Sequence, residues 1–190
     1  MAGQTEAMLA EINGEFPRFG IVYKRNSLFS KVIDVALRAV TFNGQRHYMT
    51  RFHTVIGSTL YVPDSWDTTS DLDRVITLRH ERVHLRQSRR YTAIGMAFLY
   101  LVPFVPLGLA YGRARIEWEA YAETVRAIAE LKGLAAAEDP RLRKHILEQF
   151  TSASYGWMWP FREQLDRWYD ALLVEVRREA ETASRHETPR

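Results

Sequence analysis

The chain has 190 residues, 46% of them hydrophobic and 26% charged, with a net charge of +3. This is the make-up of an ordinary globular domain with room for a sizeable core, and it excludes a collagen-like, low-complexity or disordered chain. There is no cysteine, which excludes a disulfide framework and a thiolate metal centre. Any transition-metal site must therefore use His, Asp, Glu and water.

In chain order, the opening MAGQTEAMLAEINGEF lacks the basic start and apolar run of a secretory signal. A cytoplasmic location is expected, extending to the inner face of a membrane. Residues 4–12 read as a short helix, and Phe19 to Lys24 as a strand. Asn26 can cap a helix from about Ser27 to Val40, with Leu28, Val32, Val35, Ala36 and Val40 on one side. Asn43–Gly44 signals a turn. Two β-rich runs follow, RHYMTRFHTVIG and STLYVP, with Gly57 between them. VPDSWD and TTSD make a loop.

The next segment, DLDRVITLRHERVHLRQSRR, has no Gly or Pro, and Ser70 or Asp71 can cap it. Leu72, Val75, Ile76 and Val83 form an apolar stripe that buries one side. Inside it lies HERVH, from His80 to His84. Histidines four apart sit one above the other on one helix face, so both imidazoles can reach one metal ion. Thr77 and Gln87 share that side. Glu81 then stands beside any water on that metal, the arrangement a zinc-activated hydrolase needs. Such a site requires one further protein ligand and an open position.

Downstream, RARIEWEAYAET (Arg113 to Thr124) reads as a strong helix former. HExxH followed by a helix carrying E-x-x-A resembles the gluzincin group of zinc metallopeptidases. EWEAY is similar to the second motif helix of the HtpX-like and ImmA/IrrE-type peptidases. The resemblance covers the two motif helices, about a quarter of the chain. It implies Glu117 as the third zinc ligand, with Glu119 as the rival; residues two apart on a helix face different ways, so one ion takes only one of them. The chain departs from those families at Tyr121, where they often carry Asp or Asn. A phenol there can accept an imidazole N–H, less strongly than a carboxylate, or face the substrate and stabilise an oxyanion; we favour a half-buried packing residue.

Between the motifs, Tyr91 to Gly112 carries no charged residue. At about 22 residues it is long enough to cross a bilayer as a helix. A single crossing would separate its ends by roughly 30 Å, which is incompatible with His84 and Glu117 sharing an ion. Pro103 and Pro106 stand near its middle, where proline breaks or kinks a helix. Residues 91–112 are therefore expected to form an apolar helical hairpin, with the outgoing arm ending or kinking near Gly95. Its apolar surface can lie in a membrane, in the protein core or in a dimer interface.

Gly133 to Pro140 marks a turn, RLRKHILEQF a further helix, and SYGWMWPF an aromatic loop that either packs the core or walls a pocket. Tyr155, just before WMWPF, is a candidate oxyanion partner. REQLDRWYDALLVEVRREAE is a long amphipathic helix, with fraying expected from about Thr182. His47, His53, His145 and His186 lack ligand spacing; His53 can reach the site only if its strand borders it. Glu81–His84 also spells the ExxH of di-iron bundles, but those need a second ExxH and none is present.

The expected fold is α+β and zincin-like, mostly helical, with a small N-terminal sheet before the HExxH helix. One domain spans residues 1–190, with the hairpin at 91–112 and a helical part at 138–182. The expected function is zinc-dependent hydrolysis of peptide bonds in a peptide or protein substrate, with Zn2+ on His80, His84 and Glu117 and Glu81 as general base. The alternative is a non-catalytic zincin-like interaction protein with membrane contact through 91–112. The basic residues are nearly all arginine, which we read as compositional, and no nucleic-acid partner is expected.

Overall fold

A computed structural model describes residues 3–28, 30–31, 50, 53–101, 109–152 and 158–187. The architecture is α+β, mostly helical with one small three-stranded sheet. The chain divides into two compact units, Met1–Val102 and Pro103–Arg190.

The first unit begins with α1 (Gln4–Glu15), then β1 (Gly20–Tyr23), β2 (Thr54–Ile56), β3 (Thr59–Val62) and the long helix α2 (Asp71–Leu101). Strand order is β1-β3-β2, with β1 parallel and β2 antiparallel to β3. A tight reversal through Gly57 and Ser58 joins β2 to β3. It needs a positive φ at its first residue, and Gly57 supplies 60°. Along β3 alternate residues Leu60 and Val62 are fully buried, so one face of the sheet is covered; Trp66, Val75, Ile76, Leu78 and Leu85 of the same unit are buried too.

Helix α2 starts where its sequence allows. The Ser70 hydroxyl accepts from the Asp73 backbone N–H at 3.2 Å, and Asp71 and Asp73 place negative charge in the first turn. Asp71 also caps α1: its carboxylate accepts from the backbone N–H groups of Gln4 (3.0 Å) and Thr5 (3.2 Å). The Thr5 side chain, then these N–H groups, hold the Asp71 carboxyl below its ordinary pKa. Eleven residues along, α2 meets α1 again. Glu15 accepts from Arg82 at 2.7 Å and from Arg86 at 2.7 and 2.9 Å. The two helices thus run side by side in the same direction, with Met8, Ile12 and Phe16 buried.

The second unit holds α3 (Leu109–Lys132), the single turn α4 (Leu134–Ala137), α5 (Pro140–Thr151) and α6 (Arg162–Glu187). Gly133, at φ 92°, ends α3. Asp139 caps α5 by accepting from the Arg141 N–H at 2.7 Å, with Pro140 in the first turn. Leu165, Tyr169, Leu172 and Val176 recur on one face of α6 and pack with Trp118, Ala122 and Val125 of α3 and Ile146, Leu147 and Phe150 of α5.

Four expectations change. Within the described part of the β-rich run from Arg46 the strand is Thr54–Ile56 and Thr50 is helical, while 46–49 and 51–52 lie outside the described residues. Helix α2 does not end at Gly95 but continues to Leu101, since one glycine costs a long helix only about 1 kcal/mol. The C-terminal helix continues past Thr182 to Glu187, with the Thr182 and Ser184 hydroxyls donating to the carbonyls of Arg178 and Ala180 within it. The loop expected at VPDSWD carries a 3-10 helix at Asp64–Thr68, whose carbonyls at Trp66 and Asp67 accept from Arg74. Most of the helix expected over Ser27–Val40, the Asn43–Gly44 turn, and the reversal at Pro103 and Pro106 lie outside the described residues. Among the described residues no helix is long and apolar enough to cross a membrane.

Candidate metal centre

The motif lies in the middle of α2, where the uninterrupted helix gives its residues fixed directions. His80 and His84 are one turn apart, with ring centroids 5.0 Å from each other and planes at 72°. His84 is 8% exposed and Glu81 is 6% exposed. A carboxylate so withdrawn from water is costly unless its surroundings serve it.

His84 is held by its own helix. Its Nδ1 lies 2.9 Å from Oε1 of Gln87, one turn further on, and Gln87 is itself buried. The tautomer in which Nδ1 carries the proton makes this bond, with the amide oxygen accepting. In that tautomer Nε2 is the ring nitrogen able to ligate a metal. Partners of this kind fix both the tautomer and the plane of a ligating imidazole.

The two glutamates of EWEA separate clearly on α3. Glu117 is buried and Glu119 is exposed. Among the described residues, His80, His84 and Glu117 each bring one ligand atom to within 4.8 Å of the others. Zinc with ligands at about 2.0–2.2 Å sets those atoms roughly 3.4 Å apart. Two imidazoles and one carboxylate form a three-donor set that suits zinc and leaves a fourth position open. The residues fit the ion.

The other sequence candidates fall elsewhere. His53 packs edge-on against Trp66 with centroids 5.4 Å apart. Its Nε2 is buried without a hydrogen-bond partner. Burial first, then the charge of Lys24, pushes its pKa down to about 4. His145 is on the exposed side of α5. Tyr121 is half-buried with its ring 5.5 Å from that of Phe150, as a packing residue sits. The aromatic loop splits: Met158 is buried, and Phe161 is 60% exposed. His47, Tyr155 and the His186 side chain lie outside the described residues.

Two features were not drawn from the sequence. The Gln87–His84 bond had a visible signal, the i, i+3 spacing on the histidine side. The clamp of Arg82 and Arg86 on Glu15 had none, because its partners are about 70 residues apart in sequence. No family model, curated protein or solved structure matches the chain.

Proposed function

We propose that this chain is a zinc-dependent metallopeptidase of the gluzincin kind, with His80, His84 and Glu117 as metal ligands and Glu81 as general base. One observation carries the reading: two histidines one turn apart on α2 and the buried Glu117 carboxylate offer their donor atoms within 4.8 Å of one another. The order of a small sheet followed by the motif helix supports a zincin-like fold.

Bound at these ligands, zinc supplies a Lewis acid and brings the pKa of water to near 7. The residues of the chain do the rest. Gln87, hydrogen-bonded at Nδ1, orients the His84 ring for metal binding. Glu81, the residue after His80, receives the proton of the attacking water on its carboxylate and returns it to the leaving amide nitrogen. The burial of Glu81 limits the access of competing water to its carboxylate. The substrate is a peptide or protein, and an edge of the β1-β3-β2 sheet is suited to pair with an extended segment of it.

The test uses Glu81→Gln with purified protein, metal analysis and fluorescein-labelled casein. The expected result is about one zinc per chain in both proteins and hydrolysis only in the parent. Full activity in Glu81→Gln refutes the mechanism. Zinc in both proteins with hydrolysis in neither selects the alternative, a non-catalytic zincin-like interaction protein.

A further inference from the structure

The exposed aromatic residues of the second unit are not scattered. Tyr111, at the start of α3, is 41% exposed, and Phe161, just before α6, is 60% exposed. Trp159 links them, its ring centroid 5.2 Å from Tyr111 and 4.9 Å from Phe161. Tyr111 also meets Trp168 at 6.1 Å.

The patch is rigidly displayed. The Trp159 backbone N–H donates to the Phe150 carbonyl at 3.0 Å, and its indole N–H donates to Gln164 at 3.0 Å. The Phe161 carbonyl accepts from Gln164 and Leu165 in the first turn of α6. A water-exposed phenyl ring on so ordered a backbone gains nothing for the fold; burying it against a partner does.

We propose that Tyr111, Trp159 and Phe161 form a docking surface for an anionic lipid bilayer. Three observations select this occupant. The ring types are those that settle at the boundary between water and hydrocarbon, with apolar bodies and, for Trp and Tyr, a polar edge. In the sequence the patch continues the uncharged stretch from Tyr91, which ends at Tyr111 and Gly112. The charges beside that stretch have one sign. From Arg82 to Ile116 every Asp, Glu, Lys or Arg is an arginine. Arg82 and Arg86 are engaged by Glu15. Arg115 lies over the Trp168 ring at 5.0 Å, next to the patch, and Arg162 follows Phe161 directly. Arg162 pairs with Asp166 at 3.8 Å, and Glu163 stands in the first turn of α6. Arg115 and Arg162, in the same unit as the aromatic patch, match a surface of anionic headgroups. The attachment is peripheral: rings enter the interface while the helices stay outside it. It does not depend on the metal site.

The experiment sediments the full-length protein with vesicles of phosphatidylcholine alone or with about one-third phosphatidylglycerol. The parent is expected to bind the anionic vesicles at least about tenfold more tightly, with salt weakening the binding. Its tryptophan emission should shift to the blue and be quenched by brominated acyl chains. Tyr111→Ser with Phe161→Ser should cut binding about tenfold or more, while Phe161→Trp retains it. Arg115→Gln should lower the preference for phosphatidylglycerol. Binding to neither vesicle, or a double variant that binds like the parent, overturns the proposal. So does a dimer of the parent, seen by light scattering, that the double variant dissolves, since the patch then belongs to a second copy.

Discussion

Replacing Gln87 by leucine tests the proposed ligand role of His84 without touching a ligand. The side chain is 4% exposed, His84 is 8% exposed, and the two share a 2.9 Å hydrogen bond. Leucine is close in volume and accepts nothing, so the Nδ1–H loses this acceptor in a place water does not easily reach. An unsatisfied buried donor costs about 1–3 kcal/mol. The cost falls on the tautomer and ring orientation that bind metal, because the unliganded ring can turn or shift its proton to escape it. Converted at 1.4 kcal/mol per tenfold, zinc affinity should fall roughly 5- to 150-fold, the range found when outer partners of metal-bound histidines are removed. Competition with a chromophoric chelator measures this directly. Thermal unfolding of the metal-free protein gives the loss unrelated to metal. Gln87→Glu keeps an acceptor at the same distance and should hold zinc as well as the parent. The reasoning fails if Gln87→Leu binds zinc within twofold of the parent, or if both substitutions weaken it equally. Nitrogen chemical shifts of the His84 ring supply a further check, since the parent should show the Nδ1–H tautomer before any metal is added.

Glu117→Ala should abolish stoichiometric zinc, while Glu119→Ala, on the exposed side of α3, should retain it; metal analysis after gel filtration tells them apart, and the opposite pattern transfers the ligand to Glu119. Glu15 titrates at about 2 instead of 4.5, through Arg86 first and then Arg82, against the opposing effect of burial. Its depressed pKa means stability that is present above pH 4.5 and lost as pH falls toward 2. The full difference corresponds to about 3 kcal/mol, and solvent screening at this partly exposed site reduces it to about 1. Glu15→Gln should therefore lower stability to urea at pH 7 by about that amount and not at pH 2; equal losses at both refute the linkage. Phe150→Ala removes a fully buried ring that meets Trp118 and Tyr121. It should cost about 3–5 kcal/mol, read from denaturant midpoints, and a loss below 1 kcal/mol would show that the surrounding helices collapse onto the gap.

Local signals in the sequence carried the helices well. Ser70, Gly133, Asp139 and Pro140 are where helices begin or end, and the 3.6-residue rhythm of α6 is written in its apolar positions. The strands were harder. Among the described residues of RHYMTRFHTVIG, Thr54–Ile56 pair with β3 while Thr50 is helical, because tertiary pairing and not β-propensity alone decides where a strand forms. Within the candidate site, the histidine pair follows from helix geometry alone. The difference between Glu117 and Glu119 does not, since both spell equally good helix and only packing decides which carboxylate is covered. Fraying was expected at Thr182 from polar composition, but local hydroxyl-to-carbonyl bonds are compatible with helix all the way to Glu187.

Within HERVH the letters between the histidines are usually treated as free. Here Arg82 is not: with Arg86 it grips Glu15, while Asp71 grips the other end of the same helix at Gln4 and Thr5. Helix α1 therefore acts as a splint bound at two points along the helix that carries both imidazoles. A helix so splinted cannot roll about its axis, and a roll of one residue, about 100°, is what would turn both rings away together. Engineering at the N-terminus accordingly reaches the histidines mechanically. A fusion that pulls α1 off Asp71 would leave every letter of the motif intact and still misalign it.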